Sequence, residues 1–154
     1  SRRVAEFGII HFLQTIYESQ RLLVPCIDEH DGILLKMDGD SMLITFRRVT
    51  KAIECAIEMQ RVLKEHNIGK ADTEQILLCV GLGYGLMLHI GDQDVFGPEV
   101  NAASKLGEDT AEALEILVTD SVAEAAKDMP GVGFELISAI PPGAKSAFKL
   151  IYQL

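Results

Sequence analysis

Positive charge is scarce in this sequence. Fourteen lysines and arginines face twenty-three aspartates and glutamates, for a formal net charge of −9. A chain so acidic is poorly suited to non-specific nucleic-acid binding, so no nucleic-acid partner is expected. A single small anionic ligand is not excluded, because a few local lysines outweigh the global field. Cysteine is also sparse: Cys26, Cys55 and Cys79 lie far apart, with no Cys-x-x-Cys pair. Their apolar neighbours predict buried, reduced thiols. The four histidines, His11, His30, His66 and His89, show no metal-ligand spacing. Long apolar runs are missing. The longest, residues 76–90, is broken by Gly81, Gly83, Gly85 and His89, so no membrane contact by this domain is expected. There is no signal-peptide pattern, long repeat or low-complexity segment, and a cytoplasmic location is expected. The chain opens at Ser1 without a methionine and runs at once into helical pattern, which predicts a fragment of a longer parent.

What is present suits one globular domain over residues 1–154. Apolar residues make up 48% and charged residues 24%, enough for a substantial core at this length. Residues 4–24 carry apolar side chains at three-to-four spacing, including Ile9, Leu13, Ile16 and Leu23, and predict a helix. Pro25 is expected to kink or end it. Two apolar runs, 32–37 and 41–46, flank Asp38-Gly39, a hairpin signal. Residues 48–66 predict a second helix with Val49, Ala52, Ile53, Ala56, Ile57, Gln60 and Leu63 on one face, and Gly69 marks a stop beyond it. Residues 76–90 are too glycine-rich for a helix and read as one long strand, or two with a bend at 83–85. A short strand is expected at 115–119, a helix capped by Asp120 to about residue 127, and a closing hairpin from 134–140 and 147–152. The order fits an α+β fold, a ferredoxin-like β-α-β-β-α-β unit that lacks its first strand, with helices on one face of the sheet.

Residues 94–106 form the most informative stretch. Pro98 suits the first helical position, and Glu99 in the first turn suits the helix dipole. Asn101 and Lys105, four apart, share one helical face, and Val100 and Ala103 are expected to face a core. A carboxylate, an amide and a cation are thus presented around one tight turn. Taken alone, the stretch reads more readily as an ordinary, well-started surface helix.

Two stretches in register carry a resemblance. Lys36-Met-Asp-Gly-Asp40-Ser resembles the Lys-x-x-Gly-Asp hairpin of class III nucleotide cyclase catalytic domains. Asp94-Val-Phe-Gly-Pro-Glu-Val-Asn101-Ala-Ala-Ser-Lys105-Leu resembles their Asp-x-x-Gly-x-x-Val-Asn-x-Ala-x-Arg helix start. The glycine-rich strand between them and the ending at 147–154 also fit, so the resemblance covers nearly the whole chain. It implies an α/β sandwich with an antiparallel-rich mixed sheet and helices packed on it. It implies conversion of ATP to 3′,5′-cyclic AMP and pyrophosphate, with two Mg²⁺ or Mn²⁺ ions, at a homodimer interface completed by both protomers. Sensor or other regulatory domains in a longer parent are also implied. The alternative is a weak or inactive cyclase-like module that binds nucleotide or partner domains.

Residue by residue, Asp40 matches the second metal-binding aspartate, and carboxylate oxygens suit hard divalent cations. The first metal aspartate belongs to the family's first strand, which this chain does not contain. Lys36 and Asp94 match the pair that reads the purine. A lysine donor and an aspartate acceptor complement adenine, with its N1 acceptor and amine donor, and mispair with guanine. Asn101 matches the ribose-orienting asparagine. Lys105 stands where the family usually has arginine to stabilise charge on the α-phosphate; it keeps the charge but loses the planar fork. Lys145 falls near a triphosphate-binding lysine. Asp38 occupies a usually apolar position and has two readings: assisting the metal site, or pairing with Lys36.

Overall fold

The structure is a computed structural model, and it describes residues 9–39, 41–90 and 94–154. In chain order these form α1 (Ile9–Glu29), β1 (Ile33–Asp38), β2 (Ser41–Thr45), α2 (Val49–His66) and β3 (Val80–Leu82). Then follow β4 (Leu88–Ile90), β5 (Asp94–Phe96), α3 (Pro98–Lys105) with a wider helical turn at Leu106–Thr110, and β6 (Ile116–Thr119). The last elements are α4 (Asp120–Ala125), β7 (Gly133–Ile137) and β8 (Ala147–Ile151).

Strand β6 is the pivot of the fold. Its Ile-Leu-Val-Thr run is buried at every position, as expected of a strand covered on both faces. It pairs in parallel with β3 and antiparallel with β8, which carries β7 at its other edge, giving the order β3-β6-β8-β7. Ile116 and Val118 point to one side, into a core with Ile53 and Ala56 of α2, Val122 of α4 and Leu150 of β8. Leu117 points to the other side, against Leu106 and Ala147. The α+β class and the antiparallel-rich mixed sheet are as expected. Helices on one face only are not: α2 and α4 cover one face, and α3 with its following turn covers the other.

The reason lies in the glycines of and after β3. Gly81 pairs with Leu117 and shares its face. A Cβ on Gly81 would fall well inside contact distance of the Ala103 carbonyl of α3, and one on Gly83 would do the same to the Glu99 carbonyl. A Cβ on Gly85 would meet Glu99 Cγ at 2.8 Å. Alternate glycines therefore let the helix backbone lie directly on the strand backbone. The run 76–90 accordingly breaks into β3 and β4 rather than forming one strand.

A second core joins α1 to α2. Leu23, Cys26 and Ile27 meet Cys55, Met59 and Leu63, under Leu34, Met42, Ile44 and Phe46 of the β1–β2 ribbon. So α2 buries two faces, one against the sheet and one against α1; the single stripe read from its sequence captured mainly the first. Helix α1 runs through Pro25 to Glu29 rather than ending there. Pro25 is exposed, so the missing donor falls on the solvent side, while buried Leu23, Cys26 and Ile27 hold the last turn against α2. Asp120 is not the cap of α4. Thr119 Oγ1 accepts the Val122 N–H at 3.4 Å, and Asp120 is the first helical residue.

Cys79 also departs from expectation. Residues 76–80 alternate, with Ile76 and Leu78 packed on the α1–α2 core and Leu77 and Cys79 facing out. Cys26 and Cys55 are buried, and burial pushes the Cys55 thiol up to about 12. The Cys79 thiol is raised as well, first by partial burial and then by Glu115 and Glu112 nearby.

Two measurements test this packing. Gly81→Ala is expected to lower stability by about 2–3 kcal/mol in urea unfolding. Gly133→Ala, whose Cβ would meet Ile151 Cβ at 3.6 Å, should stay within about 1 kcal/mol of wild type. In thiol titration near pH 8, the native protein should show one reactive cysteine, lost in Cys79→Ser, and urea should expose the other two.

Candidate functional site

Helix α3 begins where strand β5 ends. Gly97 makes the junction, and a Cβ there would meet the Leu86 carbonyl at 2.8 Å. Pro98 takes the first helical position as expected. The Asn101 N–H donates to the Gly97 carbonyl at 3.1 Å and closes the first turn. Ala102 and Leu106 are fully buried toward the sheet, whereas Val100 and Ala103 are only partly so. The core-facing stripe is therefore Ala102 and Leu106, because Ala103 meets Gly81 through its backbone. Asn101 and Lys105 stand exposed on one face, as the four-residue spacing requires.

Glu99 does more than complement the helix dipole. Its Oε1 accepts the Tyr84 N–H at 2.9 Å and the Thr119 hydroxyl at 2.6 Å. Thr119 is fully buried. One carboxylate oxygen thus ties the β3–β4 connection, the first turn of α3 and the end of β6. The neighbouring Asp120 reaches the other way. Its Oδ1 accepts the N–H groups of Lys145 and Ser146 at 3.0 and 3.3 Å. Gly143, at φ +94°, sits directly against the Pro98 carbonyl. The loop that carries Lys145 is therefore docked on the start of α3.

Lys105 has an unforeseen partner. Its Nζ lies 3.1 Å from Asp109 Oδ2, with side-chain exposures of 60% and 58%. So open a pair adds little stability, and it is easily exchanged for another anion. Lys36 is exposed on β1, beside a bulge between Leu34 and Lys36. Among the described residues, strands β1 and β2 pair with each other and with no third strand, and Asp38 pairs in register with Ser41. Asp40 lies outside the described residues, as does the side chain of Asp94. The Asp94 backbone opens β5 opposite Ile90. The fold thus gathers Asn101, Lys105 and the Lys145 loop around α3, puts Asp94 one short strand ahead of it, and leaves Lys36 on a separate ribbon.

Among the described residues no three of His, Cys, Asp and Glu converge as a metal site would require. The matched metal aspartate, Asp40, lies outside that set. Two shallow surface depressions lie elsewhere, one lined by Lys64, Leu114, Lys149 and Tyr152, the other by Thr50, Glu54, Asp128 and Met129.

Glu99, Thr119 and Asp120 were not singled out as site residues from sequence. Their roles arise from contacts between distant segments. The Gly-x-Gly-x-Gly alternation at 81–85 was the available signal for a close helix, since in a strand it clears one face.

The sequence model for the adenylate and guanylate cyclase catalytic domain matches residues 2–140. The chain belongs to this family. It is 30% identical over 105 residues to "Putative adenylate cyclase 3" of Rhizobium meliloti (strain 1021), a match covering 68% of this chain and 18% of that protein. It is 32% identical over 102 residues to the serine/threonine-protein kinase pkn2 of Myxococcus xanthus, covering 66% of this chain and 12% of that one. The chain therefore spans less than a fifth of the length of these relatives. Among solved structures, an adenylate/guanylate cyclase/hydrolase from Silicibacter pomeroyi superposes with a TM-score of 0.77 at 25% identity, covering 92% of this chain and 86% of that one. The adenylyl cyclase CyaB from P. aeruginosa shares the fold, with a TM-score of 0.71 at 17% identity over 97% of this chain and 87% of that one. In this cyclase domain, no helix among the described residues is long and apolar enough to cross a membrane.

The docking of the Lys145 loop has a direct test. Asp120→Ala should speed hydrogen exchange at the Lys145 and Ser146 amides by about tenfold, whereas Asp120→Asn, which keeps the acceptor oxygen, should change it little.

Proposed function

We propose that this domain converts ATP to 3′,5′-cyclic AMP and pyrophosphate at a site completed by two copies of the chain. The observation that carries the reading is the paired exposure of Asn101 and Lys105 on α3, at the family positions for ribose and α-phosphate. The ribose 3′-oxygen attacks the α-phosphorus, forming the new P–O bond. The bond from the α-phosphorus to the bridging oxygen breaks, pyrophosphate leaves with its electron pair, and the hydroxyl proton passes to solvent water. Asn101 orients the ribose for in-line attack. Lys105 balances the charge that grows on the α-phosphate oxygens, giving up Asp109 to do so. Lys145, on the loop docked against α3, holds the triphosphate. Asp40 would help to hold divalent metal, Mg²⁺ or Mn²⁺ (two ions per site), which would supply activation of the nucleophile and neutralisation of the phosphates.

Preference for ATP follows from Lys36 as donor and Asp94 as acceptor, which match adenine and leave guanine's groups unpaired. The Rhizobium meliloti relative's name points the same way. A homodimer is supported by the exposure of Asn101, Lys105 and Lys145, since a second copy can complete a site that they leave open. Regulatory domains in a longer parent are supported by the much greater length of the relatives, and a cytoplasmic site of action by the need for ATP.

One observation favours a second reading, a weakly active or inactive module that binds nucleotide for regulation. Lys105 replaces arginine and is already paired with Asp109. The two readings separate in one experiment, formation of cyclic AMP and cyclic GMP with Mn²⁺ by the full-length protein that carries this domain. The enzyme reading expects cyclic AMP as the main product, a several-fold higher kcat in Lys105→Arg, and an ATP preference reduced on the order of tenfold or more in Asp94→Ala. Neither product from wild type or Lys105→Arg would favour the regulatory reading. An unchanged preference in Asp94→Ala would remove Asp94 from base recognition.

A further inference from the structure

We propose that Glu99 is a positioning residue that sets the pitch of α3, and so the placement of Asn101 and Lys105 against the reacting α-phosphate. This rests on the cyclase reading. Three observations converge on it. One oxygen of Glu99 accepts from a backbone amide in one segment and a side-chain hydroxyl in another, at 2.9 and 2.6 Å. The hydroxyl belongs to Thr119, which is fully buried, so without Glu99 it loses this acceptor. The glycines at 83 and 85 clear space for the Glu99 backbone and side chain, so the carboxylate sits in a recess shaped to admit it.

The contact lies where it has most leverage. Glu99 is in the first turn of α3, Asn101 is two residues on and Lys105 six. Six residues of helix span about 9 Å, so a tilt of about 6° at Glu99 shifts Lys105 by about 1 Å. A misplacement of that size can cost about a hundredfold in rate. Thr119 also caps α4, and Asp120 beside it holds the Lys145 loop. The same junction therefore registers α3 and that loop on the end of β6.

A residue serving only the helix dipole would be replaceable by any acid there and would not need its oxygen at this point. The variants are chosen on that difference. Gln keeps the accepting oxygen and loses the charge. Asp keeps the charge but draws the oxygen back by one methylene. Ala keeps neither.

The test measures kcat and KM for ATP, the ATP/GTP preference, and hydrogen exchange at the Tyr84 amide. Glu99→Ala and Glu99→Asp should lower kcat by about tenfold to a hundredfold, with KM within about threefold, because the residues displaced act in the transition state. The ATP/GTP preference should stay unchanged, since Lys36 and Asp94 lie off α3. Tyr84 exchange should quicken in both. Glu99→Gln should remain near wild type in every readout, and Thr119→Ser should match it. If Glu99→Ala does not fold, Glu99→Asp carries the test. The proposal is overturned if Glu99→Asp keeps full kcat, if Glu99→Gln is as impaired as Glu99→Asp, or if base preference falls together with kcat. A wild type inactive toward both nucleotides overturns the cyclase reading and the catalytic half of this proposal. Tyr84 exchange then decides whether Glu99 holds the junction, and an unchanged rate in Glu99→Asp rejects that as well.

Discussion

The rest of the structure depends on one backbone-to-backbone contact, the seating of α3 on the glycines that alternate through and beyond β3. A helix packed through side chains stands 8–10 Å from its neighbour and can slide by small adjustments of rotamers. A helix whose carbonyls lie where a Cβ would stand has no such slack. Because α3 comes this close, β6 is covered on both faces, and its four residues can be apolar or, at Thr119, buried and bonded. Because α3 cannot slide, the residues on its outer face inherit a fixed position.

A site built on that outer face, as proposed, needs such a fixed position. Asn101 and Lys105 are exposed side chains with little to hold them individually, and Lys105 rests on an open ion pair. Their placement comes from below, from Ala102 and Leu106 buried against the sheet and from Glu99 bonded across to Tyr84 and Thr119. The loop of Lys145 is brought to the same place through Asp120 and through Gly143 on the Pro98 carbonyl. Rigidity below and exposure above suit a site that a second copy completes. The β1–β2 ribbon, with Lys36, is fastened to the other core, on α1 and α2.

Local signals in the sequence were reliable where local physics decides. Pro98 at the helix start, Gly39 in the hairpin at φ +64° and the Asn101–Lys105 spacing all follow from short-range geometry. Signals failed where a distant partner decides. Pro25 did not end α1, because Cys26 and Ile27 beyond it find partners on α2. Asp120 looks like a cap, yet Thr119 caps the helix and Asp120 bonds a loop twenty-five residues on. Helices on both faces were hidden because a run of glycines reads as weakness in a strand until the helix that needs it is in place. The family motif points to Asn101 and Lys105, whereas Glu99 could be read only as a first-turn acid, since Thr119 is twenty residues away.

The central proposal is that each ATP-cyclising site is completed by two copies of this chain, with Asp40 serving it from one copy and Asn101 from the other. Mixing two inactive variants, Asp40→Ala and Asn101→Ala, tests it most directly. If each site takes the two residues from opposite copies, a mixed dimer has one site carrying both defects and one intact. An equal mixture should then regain roughly a quarter of the wild-type rate of cyclic AMP formation. A mixture no more active than its two parents, beside an active wild type, would contradict the shared site.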